Sequence, residues 1–81
     1  MRSAEQLRAA RALLDWSQDQ LAEKSGVGVA TVRRLEGQSG KLRTYSETLW
    51  KLQTALEEAG VIFIPEADSL GPGVRLAQPT D

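Results

Sequence analysis

The stretch Ser17-Gln18-Asp19-Gln20-Leu21-Ala22-Glu23-Lys24-Ser25-Gly26-Val27-Gly28-Val29-Ala30-Thr31-Val32-Arg33-Arg34-Leu35-Glu36-Gly37 decides the fold of this 81-residue chain. Ser17 and Gln20 have the spacing of a capping box, in which each side chain takes a backbone amide that the first helical turn leaves unpaired. Trp16 before the cap and Leu21 at the fourth helical position have the spacing of a hydrophobic staple. The helix they open is expected to run through Lys24 and end near Gly26, a residue free to take the left-handed conformation after a helix. A second, shorter helix follows from about Val29 to Glu36, with Gly28 in the cap position and Gly37 closing it. At about 100° per residue, Val32 and Leu35 share one face, and Ala30, Arg33, Arg34 and Gly37 lie roughly opposite. Two aliphatic side chains thus anchor a helix that presents two arginines and two small residues.

Working outward, Leu7, Ala10 and Leu14 fall on one face of a helix over Ser3 to Leu14, with Leu13 beside them and Arg8 and Arg11 outside or at the edge. After the central stretch, Gln38 to Arg43 reads as a basic loop. Thr44-x-x-Glu47 has the form of another capping box and is expected to open the longest helix, to about Ala59. Its apolar stripe is Leu49, Leu52, Leu56 and Ala59, with Ala55 alongside. Trp50 lies off the stripe, toward another element or a partner chain, and Gly60 stops the helix. The period then changes. Val61-Ile62-Phe63-Ile64 is β-branched and aromatic and is ended by Pro65. A loop runs from Glu66 to Pro72, Gly73 to Ala77 is a second, weaker strand, and residues 78–81 are expected to form a frayed tail. The expected fold is mainly α, with four to five helices and a short C-terminal β-hairpin or pair of strands.

Composition narrows the chemistry. Eleven leucines and ten alanines favour helix over sheet. Without cysteine or histidine there is no disulfide framework, thiolate zinc site or thiol nucleophile. Glu57 and Glu58 are adjacent, so they diverge on a helix and make a poor acid–base pair. Ser39-Gly40-Lys41 lacks the longer glycine frame of a phosphate loop. No catalytic residue, metal ligand or cofactor is therefore expected, and no enzymatic activity. The longest fully apolar run, Val61 to Ile64, is far shorter than the roughly 20 residues that span a bilayer, and the first residues lack the apolar core of a secretory signal. A cytoplasmic protein with no membrane partner is expected. The net charge of −1 conceals an asymmetry: residues 1–43 carry eight basic and five acidic side chains, and residues 44–81 two basic and six acidic. The first half can offer an anion-binding face.

Ser17-Gln18 opening a helix, Leu21-Ala22 at its centre, Gly26-Val27 in the turn, Thr31-Val32, and Leu35-Glu36-Gly37 at the close resemble the Cro/XRE-type, lambda-repressor-like helix-turn-helix family. The resemblance covers about residues 5–60 and includes the later helix with its Thr48-Leu49 start. The family often carries Ser or Thr where Gly28 stands, and usually adds a fifth helix where this chain offers strands. The resemblance implies a DNA-binding domain over residues 1–60. It also implies sequence-specific binding of double-stranded DNA by a small prokaryotic-type transcriptional regulator, with the second helix of the motif in the major groove.

Within that frame Arg33 and Arg34 are base-reading candidates, because arginine binds guanine O6 and N7 in bidentate fashion. Val29 and Ala30 would pack on a thymine methyl or permit close approach. Gln18 matches the family position that reaches a phosphate, aided by a helix N-terminus. Thr31, Lys41 and Arg43 are backbone-contact candidates, and Glu36 matches a position more often structural. So small a reader is expected to act as a homodimer on a palindromic operator. Val61, Ile62, Phe63, Ile64, Val74 and Leu76, in residues 61–77, would build a shared sheet that spaces the two reading helices about 34 Å apart. The alternative is a monomer whose hairpin folds onto its own helices. An antitoxin-like or other protein-interaction module, with a toxin or similar partner, is the second functional expectation.

Overall fold

Each of the first two helices opens on the residue pattern that satisfies its free amides. The structure, a computed structural model, describes residues 1–79; positions 80–81 of the expected tail lie outside the described residues. In α1 (Ala4–Leu13) the Ser3 hydroxyl accepts the Gln6 amide while Gln6 Oε1 accepts the Ser3 amide. In α2 (Gln18–Ser25) Ser17 and Gln20 form the same reciprocal pair at 3.0 and 2.8 Å. Gly26 ends α2 with φ +74°, a conformation that glycine reaches without a Cβ clash. The turn leads into α3 (Val29–Glu36), whose cap Gly28 offers no side-chain bond.

α4 (Ser46–Glu58) departs from expectation at both ends. Its cap is Tyr45, with no side-chain bond, so the Thr44–Glu47 capping box does not form. A start at Ser46 puts Glu47 at the second helical position, whereas the reciprocal bond needs the third. At the other end the helix stops at Glu58, and Ala59 becomes an exposed cap residue instead of part of the apolar stripe. Leu52, Ala55 and Leu56 carry that stripe into the core, and Leu49 packs at its edge.

The expected strands form an antiparallel hairpin, β1 (Val61–Ile64) and β2 (Gly73–Leu76), with Val61 opposite Leu76 and Phe63 opposite Val74. These two pairs share one face and pack on the helical core. The opposite face carries Ile62 opposite Arg75 and Ile64 opposite Gly73. The described residues contain four helices and no fifth.

Leu7, Leu21, Val32, Leu35, Leu52 and Leu56 are fully buried and bring all four helices to one centre. The segment expected as a basic loop contributes as well. Leu42 is 4% exposed, its amide bonds Arg2 O at 2.9 Å, and the Ala4 amide bonds Gly40 O at 2.9 Å. In α1, Leu13 is exposed and Leu14, just past the helix end, packs partly against the core. Gln6 ties the hairpin to α1 as well, donating to Gly73 O at 3.0 Å and Ile64 O at 3.4 Å.

Candidate nucleic-acid interface

α3 is held from beneath by two aliphatic side chains and one charge. Val32 and Leu35 are fully buried, and the Glu36 side chain is 4% exposed. Charge at that depth needs partners. Arg11 supplies a two-pronged contact, Nε to Oε2 at 2.8 Å and Nη2 to Oε1 at 2.9 Å. Gln18 Nε2 donates to Oε1 at 3.1 Å, and Arg8 donates to the Glu36 carbonyl. Arg11 also donates to Trp16 O at 2.8 Å. Its hydrogen bonds to Glu36 hold the Arg11 guanidinium above its ordinary value, with desolvation opposing them. This network bolts α1, α2 and α3 together.

The other side of α3 is open. Ala30, Arg33 and Arg34 are exposed, while Val29 and Thr31 are half-buried. Arg33 Nη2 lies 3.9 Å from Asp19 Oδ1 on α2. Arg34 Nη1 and Nη2 lie 3.5 Å from Arg43 O and Thr44 Oγ1. Gln38 braces that segment, accepting the Arg43 amide at 2.9 Å and donating to Arg43 O at 3.3 Å. Arg33, Arg34 and Arg43 thus gather along α3 and the segment after it.

Two expected contacts sit differently. Gln18 turns its amide to Glu36 inside the motif, which leaves its side-chain donor already engaged. Lys41 pairs through its backbone with Ser3 and lines a cleft of about 490 Å³ with Arg2, Glu5 and Glu66, at the start of α1. Sequence reading missed Asp19, Gln38 and Thr44 as neighbours of the arginines. For Asp19 no local pattern pointed to Arg33, which is on another helix. For Gln38 and Thr44 the signal was position alone, one opening the basic segment and the other directly following it.

Among the described residues no helix is long and apolar enough to cross a membrane. Nor do three His, Cys, Asp or Glu side chains gather as a metal site among them. A helix-turn-helix family model of the Cro/C1 type matches residues 7–58, and the chain belongs to that family of DNA-binding proteins. No curated protein matches it significantly. The family is one of DNA-binding transcription regulators.

Proposed function

We propose that this protein is a sequence-specific transcriptional regulator that inserts α3 into the major groove of double-stranded DNA and works in the cytoplasm. The observation that carries the reading is the outer face of α3, where Arg33 and Arg34 flank the exposed Ala30 with the helix seated entirely from the opposite side. An α-helix fits the major groove, and exposed arginines are the side chains best matched to guanine edges there. Arg43 and Thr31 approach the backbone, and Val29 lies at the start of the reading helix. Gln18 and Lys41 are weaker members, because one is engaged with Glu36 and the other sits beside α1.

The hairpin supports a homodimer, with a narrower contact than all six expected residues. Val61, Phe63, Val74 and Leu76 seat the hairpin on its own helices. The contact therefore falls to the strand edges and to the outer pair Ile62 and Ile64, of which Ile62 is 45% exposed. A free two-stranded edge invites pairing with a second chain, and the two-fold solution implies a palindromic site. Selection from a random duplex pool tests the reading. Enrichment of two inverted half-sites about one helical turn apart is expected; a pool without enrichment refutes it. Ile62→Lys should turn a sedimenting dimer into a monomer, and a variant sedimenting as wild type refutes the hairpin contact.

A further inference from the structure

An acid stands against the arginines of the proposed reading face. Asp19 is the second residue of α2, and its carboxylate lies 3.9 Å from the Arg33 guanidinium, with the two side chains 78% and 60% exposed. Capping does not explain it, since Ser17 and Gln20 already fill that role. Its first-turn position gives it a small favourable interaction with the helix dipole, and an ion pair this open to water adds little more. Its position relative to DNA is what gives it leverage.

Affinity for arbitrary duplex comes from neutralised phosphates, whereas sequence is read by paired hydrogen bonds to base edges. The two respond differently to a carboxylate beside the arginine. Asp19 offsets the Arg33 charge and itself repels phosphate, so it lowers attraction to any duplex. A guanidinium has five N–H donors, enough to keep Asp19 and still present two to guanine O6 and N7. We infer that Asp19 is a specificity-determining residue, which through Arg33 suppresses phosphate-driven binding while leaving base reading in place. The inference rests on the proposed DNA-reading role of α3.

The test measures affinity for the selected duplex and for a scrambled one over a range of salt, for wild type, Asp19→Asn, Arg33→Ala and the double variant. Asp19→Ser runs in parallel, so that a folding failure of one substitution leaves the other. Removing the carboxylate should steepen the salt slope on scrambled DNA by about 0.9, which is about eightfold tighter binding per tenfold fall in salt. The selected-to-scrambled ratio should narrow several-fold, and that narrowing should vanish once Arg33 is alanine. An unchanged ratio overturns the inference. So does the same narrowing without Arg33, which would make Asp19 a general surface charge. If wild type selects a sequence and Asp19→Asn leaves the ratio unchanged, this inference alone fails. If wild type selects nothing, the DNA-reading role fails and takes this inference with it.

Discussion

Replacing Arg11 with methionine strips the buried Glu36 carboxylate of its two-pronged partner while keeping much of the arginine stem's volume. The carboxylate then retains only the Gln18 amide at 3.1 Å. Its side chain is 4% exposed, against 24% for Arg11, so the stranded charge cannot reach water. Breaking a buried pair from one side costs about 3–5 kcal/mol, because desolvation remains after the attraction is gone. A domain of this size holds about 4–12 kcal/mol in all, so the variant loses about a quarter or more of its stability.

Burial also predicts an asymmetry. Glu36→Gln leaves the less buried Arg11 without a countercharge, and the guanidinium can turn partly to solvent. Its cost should be nearer the 1–3 kcal/mol of a lost charged hydrogen bond. The double variant Arg11→Met, Glu36→Leu removes both charges and should recover most of the loss, since an apolar replacement of a buried pair is often close to neutral. Urea unfolding followed by far-ultraviolet circular dichroism reads all three. With a slope near 1 kcal/mol per molar for so small a chain, Arg11→Met should lower the midpoint by roughly 3–5 M. Additive losses in the double variant, or a midpoint unmoved by Arg11→Met, would show that the pair does not hold α1 and α3 together.

Three further outcomes follow from the same geometry. Leu35→Ala removes a fully buried side chain from beneath α3 and should cost about 2–5 kcal/mol, read as a lower melting temperature; an unchanged value would mean α3 is seated by other residues. Gly26→Ala meets no atom within 4 Å of the new Cβ, so its cost is backbone strain alone at φ +74°, about 1–2 kcal/mol in chemical denaturation; a neutral result would show that the turn relaxes to another conformation. Hydrogen bonds from backbone amides, its own and that of Gly40, hold the Glu5 carboxyl below its ordinary value of 4.5, with Arg8 adding to the effect. A lowered folded value means a contribution present above the ordinary value and lost as pH falls through the folded one, so Glu5→Gln should flatten the stability profile on that acid side; an identical profile would remove Glu5 from the pH dependence.

The turn and both helices of the motif were legible because their signals are local. Ser17 and Gln20 are three residues apart, Gly26 needs only its own φ, and Val32 with Leu35 obey the period of one helix. Signals of equal form fail when the surroundings choose differently. Thr44 and Glu47 have capping-box spacing, yet α4 opens at Ser46 with Tyr45 as its cap, which puts the pair one residue out of register with the helix start. Leu42 was hidden in a basic segment because its burial depends on Arg2, whose carbonyl takes its amide from far along the chain. In the candidate site, the presented arginines were legible from helical phase. The pairings of Arg11 with Glu36 and of Asp19 with Arg33 were not, since each joins two helices whose relative placement no local pattern contains.

The arrangement of α3 separates what holds the domain from what can vary. Val32, Leu35 and Glu36 all point inward, and each is tied to elements other than α3's outer face. Ala30, Arg33 and Arg34 point outward, and the polar partners of the two arginines are the exposed Asp19 and Arg43 and the half-buried Thr44. Exposed substitutions away from caps and strained backbone usually change stability by no more than about 0.5 kcal/mol, whereas the inward set is worth several. Changes to the outer three residues can therefore alter what the helix touches with little loss of the fold. Gly37, at the close of the helix, follows the same rule: an added Cβ would meet Arg33 O at 3.4 Å and Arg34 O at 3.5 Å. Those are ordinary van der Waals distances, and a φ of −80° suits any residue, so a small side chain at this closing position should leave the last turn and both arginines in place.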